Sequence, residues 1–305
     1  MPDVRPRPPQ PPAVPPVRMP LRTFGARDFD FSRRVAVMAI VNRTPDSFYD
    51  RGRTYALDAA VAAALRAVEE GADWVDVGGV PFSPDTARVP VSEELDRVVP
   101  VVAAIRAASD AVISVDTSRP EVAARCVEAG ADVVNDTYGL REQGMVEVVA
   151  ETGAGVVVAH SLAAPHVHLP RPRYEDVVAE VVSFLAERVE QALAGGVRPE
   201  QIVVDPGHDL NKHTGHSLEL VRRLGEVVAL GHPTLVALSR KDFVGETLGR
   251  EREDRLPGTL AATALCVAAG ARIVRTHDVA ATVDAVRMVE AVLGLRDPVQ
   301  ARHNR

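Results

Sequence analysis

Aromatic residues make up only 4% of the 305, with a single tryptophan, and there are just two cysteines. Cys126 and Cys266 lie far apart in helical patterns, so they read as reduced core thiols of a cytoplasmic protein and not as a disulfide. No apolar run approaches the roughly 20 residues of a membrane-spanning helix, and the N-terminus has no apolar stretch of the secretory kind. No membrane association is expected. Positive charge is also in deficit. The 42 acidic residues outnumber the 35 basic ones, giving a net charge of −7 and a pI near 5.8. That balance argues against nucleic acid as a partner. Two motifs are missing as well. No Gly-x-Gly-x-x-Gly turn follows the first apolar run, which disfavours a doubly wound dinucleotide-binding sheet. No His-x-His ends that run, which disfavours a metal-dependent hydrolase. His166 and His168 do form a His-x-His, but in a Pro-rich loop. Of His208, His213 and His216, only the last two share a helix face, at i and i+3. A solvated loop is the simpler reading of all five.

What is abundant is alanine and valine, within an apolar fraction of 46%. Such side chains suit close packing of helices on a sheet, and the length fits one large α/β domain or two small ones. Residues 1–20 are mostly Pro, Arg and Val and read as a disordered tail. Residues 21–34, with Phe24, Phe29 and Phe31, read as a hairpin or plug at a barrel bottom. From residue 35 the chain alternates short Val/Ile runs with helical patterns. The runs fall at 35–41, 73–78, 112–115, 132–135, 155–160, 201–205, 234–238 and 272–275. Near-continuous apolar runs are buried on both faces, as in parallel sheets. Helical patterns fall between them at about 57–70, 93–107, 120–129, 145–152, 174–194, 214–229, 258–269 and 278–293. Several end in Gly-Ala, as at Gly71, Gly130, Gly153 and Gly270, a helix stop in which glycine takes the left-handed conformation. Eight strand–helix units in this order predict a single-domain (β/α)8 TIM barrel over residues 35–295, with a short tail at 296–305.

The runs share one further habit. They end in, or close to, a polar residue: Asn42, Asp76, Asp116, Asn135, His160, Asp205, Ser239 and Arg275. In a barrel these ends converge on the catalytic rim. The loops after the seventh and eighth strands carry Ser239-Arg240-Lys241 and Arg275-Thr276-His277. Fixed cations there point to an anionic ligand such as a phosphate or diphosphate. The competing account is ion pairing with rim carboxylates. On the other half of the rim, Asp116, Asn135 and Asp205 offer acceptors suited to the N–H donors of an amino-substituted heterocycle. One Asp alone is more often a helix cap, and Asp116 ahead of Thr117-Ser118 is such a candidate; the three together, beside Lys241, favour a site.

These pieces together resemble the dihydropteroate synthase family over nearly all of residues 35–293. They are Asn42 to Phe48, Asp76-Val77-Gly78-Gly79, Ser114-Val115-Asp116-Thr117, Asn135-Asp136, Asp205-Pro206-Gly207, Ser239-Arg240-Lys241 and Arg275-Thr276-His277-Asp278-Val279. The resemblance implies a barrel, usually dimeric, in which a 7,8-dihydropterin bearing a methyl diphosphate loses pyrophosphate to the amine of p-aminobenzoate. It implies that Asp116, Asn135, Asp205 and Lys241 hold the pterin. Asn42 would meet the Mg²⁺–diphosphate, Arg275 and His277 would bind the diphosphate, and Ser239 would touch the carboxylate side of p-aminobenzoate. Asn42, Asp116, Lys241 and Arg275 are the catalytic expectations. Neutralising the leaving group needs Mg²⁺ and Arg275. An arylamine is unprotonated at neutral pH, so no strong base is required.

The departures from the family cluster on one side. After Gly79 the family usually has Glu-Ser-Thr-Arg-Pro-Gly, whereas this chain has Val80-Pro81-Phe82-Ser83-Pro84-Asp85. After Gly207 it usually has Ile-Gly-Phe-Gly-Lys, and this chain has His208-Asp209-Leu210-Asn211-Lys212. Ser83 replaces an Arg, and Leu210 a Phe that packs on the aminobenzoate ring. Losing a charge-assisted hydrogen bond costs about 1.5–3 kcal/mol, and losing aromatic packing costs about 1 kcal/mol more. Arg43, beside Asn42, is expected to supply the missing cation from another strand. The pattern resembles the second-copy actinobacterial paralogues, so a pterin binder with weak or no synthase activity is the alternative to a working synthase. A pterin-binding methyltransferase acting on a corrinoid protein fits less well, because its substrate lacks the diphosphate that Lys241 and Arg275 suit.

Overall fold

The computed structural model describes residues 15–42, 57–80, 88–164, 167 and 169–303. Two short strands, β1 (Leu21–Phe24) and β2 (Arg27–Asp30), pair antiparallel as a hairpin. Eight strands then alternate with helices. In chain order these are β3 (Ala36–Asn42), α1 (Leu57–Glu69), β4 (Trp74–Gly78), α2 (Val91–Ala108), β5 (Val112–Asp116) and α3 (Pro120–Glu128). There follow β6 (Val133–Asp136), α4 (Met145–Thr152), β7 (Gly155–Ala159), α5 (Val177–Ala194), β8 (Ile202–Asp205), α6 (Thr214–Arg222) and α7 (Leu224–Val228). The chain closes with β9 (Leu235–Ala237), α8 (Asp242–Leu248), α9 (Leu256–Ala268), β10 (Ile273–Thr276) and α10 (Val279–Val292).

The eight strands are parallel, in the order β8-β7-β6-β5-β4-β3-β10-β9. A bridge between Val204 and Thr234 joins the two end strands, so the sheet all but closes into the expected barrel. The two-residue period of a strand sorts the apolar residues into two cores. Val37, Val75, Val115, Val134 and Val274 face the helices. Met38, Trp74, Val112, Val133, Val203 and Ile273 face inward and pack against Phe24, Phe29 and Phe31 of the hairpin segment. The Trp74 ring lies 4.8 Å from that of Phe24, edge to face. Four of the eight described aromatics thus form one stopper at the barrel bottom.

The Gly-Ala helix stops are as expected. Gly130 has φ 111°, and Ala131 N–H donates back to Cys126 O at 2.9 Å, satisfying a carbonyl that the helix leaves open. Three helices differ from expectation. The 174–194 pattern starts at Val177, because the Asp176 carboxylate accepts from Val178 N and Ala179 N and caps the helix there. The 214–229 pattern breaks at Arg223 into α6 and α7. Helix α8 was not expected; its seven residues are too few to show a period, and it stops at Gly249, φ 61°. Among the described residues no helix is long and apolar enough to cross a membrane. The expected tail at 1–20 falls mostly on residues 1–14, outside the described residues.

Candidate functional site

Strand pairing sets the rim. Asn42 lies level with Gly78, Gly78 with Asp116, and Asp116 with Asn135, so the ends of β3 to β6 form one polar row. Asn42 fits because Gly78 has no side chain; a Cβ there would lie 3.1 Å from Asn42 Oδ1. Just below the row is Asp76, fully buried inside β4. It accepts from Ser114 Oγ at 2.6 Å, Asn135 Nδ2 at 3.1 Å and Arg275 Nε at 2.6 Å. Arg275 reaches on to Asp116 Oδ2, 2.9 Å from its Nη2. A buried carboxylate survives only when paired in this way. No role was assigned to Asp76 from sequence. The available signal was a single carboxylate inside the otherwise apolar run Trp74–Val77.

This network leaves acceptors facing the cleft. Asn135 spends its amide N–H on Asp76, and its buried Oδ1 has no partner among the described residues. The Asp116 side chain keeps 26% of its surface exposed. Burial pushes its carboxyl up to about 7, opposed by Arg275 and reinforced by Asp76. Asp205 accepts from Gly207 N at 2.7 Å. Burial raises its pKa, and Lys241 opposes that shift. Lys241 donates to the carbonyl of His208. Burial lowers its pKa, with Asp209 and Asp205 acting the other way.

The two rim arginines expected for an anion are in ion pairs. Arg240 forms two bonds to Asp278, at 2.8 and 2.6 Å, and donates to the carbonyls of Arg252 and Glu253. Arg275 is shared by Asp76 and Asp116. His277 is brought down to about 3 by burial and then by Arg275, so its imidazole is neutral. It lies 3.0 Å from Ser239 Oγ through Nδ1. Asp116, a cap candidate by sequence, does not cap α3: Arg119 occupies the cap position, with Pro120 first in the helix.

The loop after β8 is where the chain is most its own. Asp209 and Asn211 have φ of 62° and 49°, the left-handed conformation that Asp and Asn tolerate better than most residues. Their side chains tie the loop down. Asp209 accepts from Ser217 Oγ at 2.7 Å and from Phe243 N at 3.3 Å. Asn211 Oδ1 accepts from Ser161 Oγ at 2.7 Å and Ala163 N at 3.0 Å. Lys212 is buried beneath, donating to the carbonyls of Gly207, Leu210 and His160 at 2.9, 3.1 and 3.3 Å. Its Nζ also lies 2.8 Å from His160 Nδ1. That ring nitrogen is therefore the acceptor, and His160, brought down to about 2 by burial and then Lys212, is neutral. His208 is fully buried over the Phe243 ring, and neither ring nitrogen has a partner among the described residues. Arg43, Phe82, Ser83, His166 and His168 lie outside the described residues.

Carboxylate and carboxamide acceptors thus gather at the top of a parallel barrel, a set that suits N–H donors. Comparisons with known proteins give the family. Residues 38–277 match the family described as pterin binding enzyme, and the chain belongs to that family. It is 48% identical over 277 residues to a Mycobacterium tuberculosis protein named inactive dihydropteroate synthase 2, covering 88% of this chain and 86% of that one. It is 41% identical over 261 residues to the dihydropteroate synthase of Escherichia coli K12, covering 86% and 93%. The Xanthomonas albilineans dihydropteroate synthase, solved with 4-aminobenzoic acid, superimposes with a TM-score of 0.83 at 42% identity, over 90% of this chain and 98% of that one.

Proposed function

We propose that this chain is a pterin-binding paralogue of the dihydropteroate synthases. It holds a 7,8-dihydropterin bearing a methyl diphosphate and condenses it with p-aminobenzoate weakly or not at all. The observation that carries this reading is Asn135 Oδ1, a buried acceptor with no partner among the described residues, level with Asp116 on the rim. Pterin ring N–H groups satisfy that set. Lys241 and Arg275 close the pterin pocket, and Arg275 turns from Asp116 toward the diphosphate as the pterin takes that carboxylate. His277, neutral, offers the diphosphate a hydrogen bond and no charge, and Ser239 stands on the acceptor side.

Mg²⁺ fits this site as an ion carried by the diphosphate. Among the described residues no group of three acidic, His or Cys side chains could cage it. One carboxamide, Asn42, with substrate oxygens and water, is a donor set that Mg²⁺ accepts. Bound there, it would neutralise charge on the departing pyrophosphate. The reduced activity rests on the altered 208–212 loop and on the 48% identical relative named inactive. The retention of Lys241 and Arg275, and the 41% identity to a named synthase, favour the second reading, a working synthase. A homodimer through α9 and α10 completes the proposal; Leu265, Met288 and Val292 there are exposed.

The test supplies purified protein with Mg²⁺, 6-hydroxymethyl-7,8-dihydropterin diphosphate and p-aminobenzoate. Tight pterin binding with little dihydropteroate is the expected result. Robust product supports the working synthase instead, and absence of pterin binding overturns both.

A further inference from the structure

We propose that Asp209 sets the charge class of the second substrate, so that the amine accepted at this site is neutral or cationic at the end reaching the 208–212 loop and carries no carboxylate there. This rests on the pterin-binding reading above, which places the acceptor beside Leu210 and Ser239. The argument is one of charges already matched. Arg240 is held by Asp278, and Arg275 by Asp76 and Asp116. Arg255 is paired with Asp242 and also bonds the Arg240 carbonyl. Lys212 is buried among backbone carbonyls. That leaves Lys241, and Asp209 and Asp205 are the two strongest attractive charges upon it.

Asp209 is also fixed in place. Its left-handed backbone costs an Asp little, and its carboxylate is clamped between Ser217 of α6 and the backbone N–H of Phe243 in α8. It therefore cannot swing aside to admit a second anion. A substrate carboxylate entering here meets the fixed Asp209 carboxylate, and Arg240, Arg255 and Arg275 on this face already hold carboxylates. A carboxamide, hydroxyl or amidine instead brings N–H or O–H donors to it. Leu210, buried next to Asp209, gives the ring of such an amine an apolar neighbour.

The experiment loads the protein with 6-hydroxymethylpterin, pyrophosphate and Mg²⁺, then measures binding of p-aminobenzoate, p-aminobenzamide and p-aminobenzamidine by calorimetry. The amide and the amidine are expected to bind at least about tenfold tighter than the carboxylate, a difference of about 1.4 kcal/mol. In Asp209→Asn, which keeps an oxygen for Ser217, that ratio should fall below about threefold, with pterin affinity unchanged. Hydrogen exchange over α6 and α8 checks that the clamp holds in the variant. Equal or tighter binding of p-aminobenzoate, an unchanged ratio in Asp209→Asn, or no binding of any of the three amines overturns the inference alone. Failure to bind the pterin overturns the proposed function, and this inference with it.

Discussion

Asp76→Asn tests whether the buried network under the rim controls the site. The carboxylate accepts three bonds, from Ser114, Asn135 and Arg275. An asparagine turned with its oxygen toward Asn135 and Arg275 keeps two of them, and the Ser114 hydroxyl can rotate to accept the third. What is lost is charge. Charge-assisted hydrogen bonds contribute about 1.5–3 kcal/mol and neutral ones about 0.5–1.5, so about 1–2 kcal/mol of stability should go. For a chain of this length that corresponds to a Tm lowered by about 1.5–3 °C. The more telling effect is on Asp116. Its carboxyl stands at about 7, in part because Asp76 lies beside it, so removing that charge lowers its pKa. A pterin N–H needs the ionised form. In the unaltered protein about one molecule in ten has Asp116 ionised at pH 6, so affinity should rise roughly tenfold between pH 6 and pH 8. In Asp76→Asn the rise should be smaller and its midpoint lower. Pterin fluorescence titrations across this range, with thermal unfolding, make the measurement. An unchanged Tm together with an unmoved pH midpoint would refute the reasoning.

Other changes probe the pterin row and the loop. Asn135→Leu removes the orphaned acceptor of the rim row and should weaken pterin binding at least about tenfold, since each charged or buried hydrogen bond is worth about 1–3 kcal/mol; calorimetry reads it. Lys212→Met keeps volume but strands three buried carbonyls, and should cost about 3 kcal/mol or more in denaturant unfolding. Asn211→Gly keeps the left-handed turn and loses the bonds to Ser161 and Ala163, while Asn211→Ala loses both bonds and adds about 1–2 kcal/mol of backbone strain. The alanine variant should therefore be the less stable of the two, and the reverse order would show that the turn is not held at φ 49°. If α9 and α10 form a dimer contact, Met288→Glu should give a monomer in sedimentation.

The barrel was legible because each strand is a short Val/Ile run and each run ends near a polar residue. Asn42, Asp116 and Asn135 lie on one row because parallel pairing registers those run ends. The seven residues of α8 fell below the length at which a helical period can be seen. The fate of the cations was also out of reach. Arg275 is 199 residues from Asp76 and 159 from Asp116, and Arg240 is 38 from Asp278. Sequence displayed the charges on both sides of each pair and left open whether they would meet each other or a ligand. Asp76 went unassigned for the same reason, since its role is set by tertiary neighbours and not by the strand that carries it.

The loop after β8 shows how a backbone can be kept while its chemistry changes. Where the resembled family has two glycines, this chain has Asp209 and Asn211, and both still adopt positive φ. A glycine reaches that conformation freely and adds nothing else. Asp and Asn reach it at modest cost and bring a side chain, which here binds α6, α8 and the loop after β7. The path of the loop is thus held by bonds, and the freedom that glycine gave it is gone. Restoring glycine at both positions would loosen the loop and remove one charge, but it would not return the aromatic ring replaced by Leu210 or the Arg replaced by Ser83. If synthase activity was lost through these departures, it was lost at several independent contacts, and single reversions should each recover little of it. The polar row at the rim is different. Asp76, Asp116, Asn135 and Arg275 form one hydrogen-bonded unit, so a change at any one of them disturbs the others, and single substitutions there should change pterin binding more than single substitutions in the 208–212 loop.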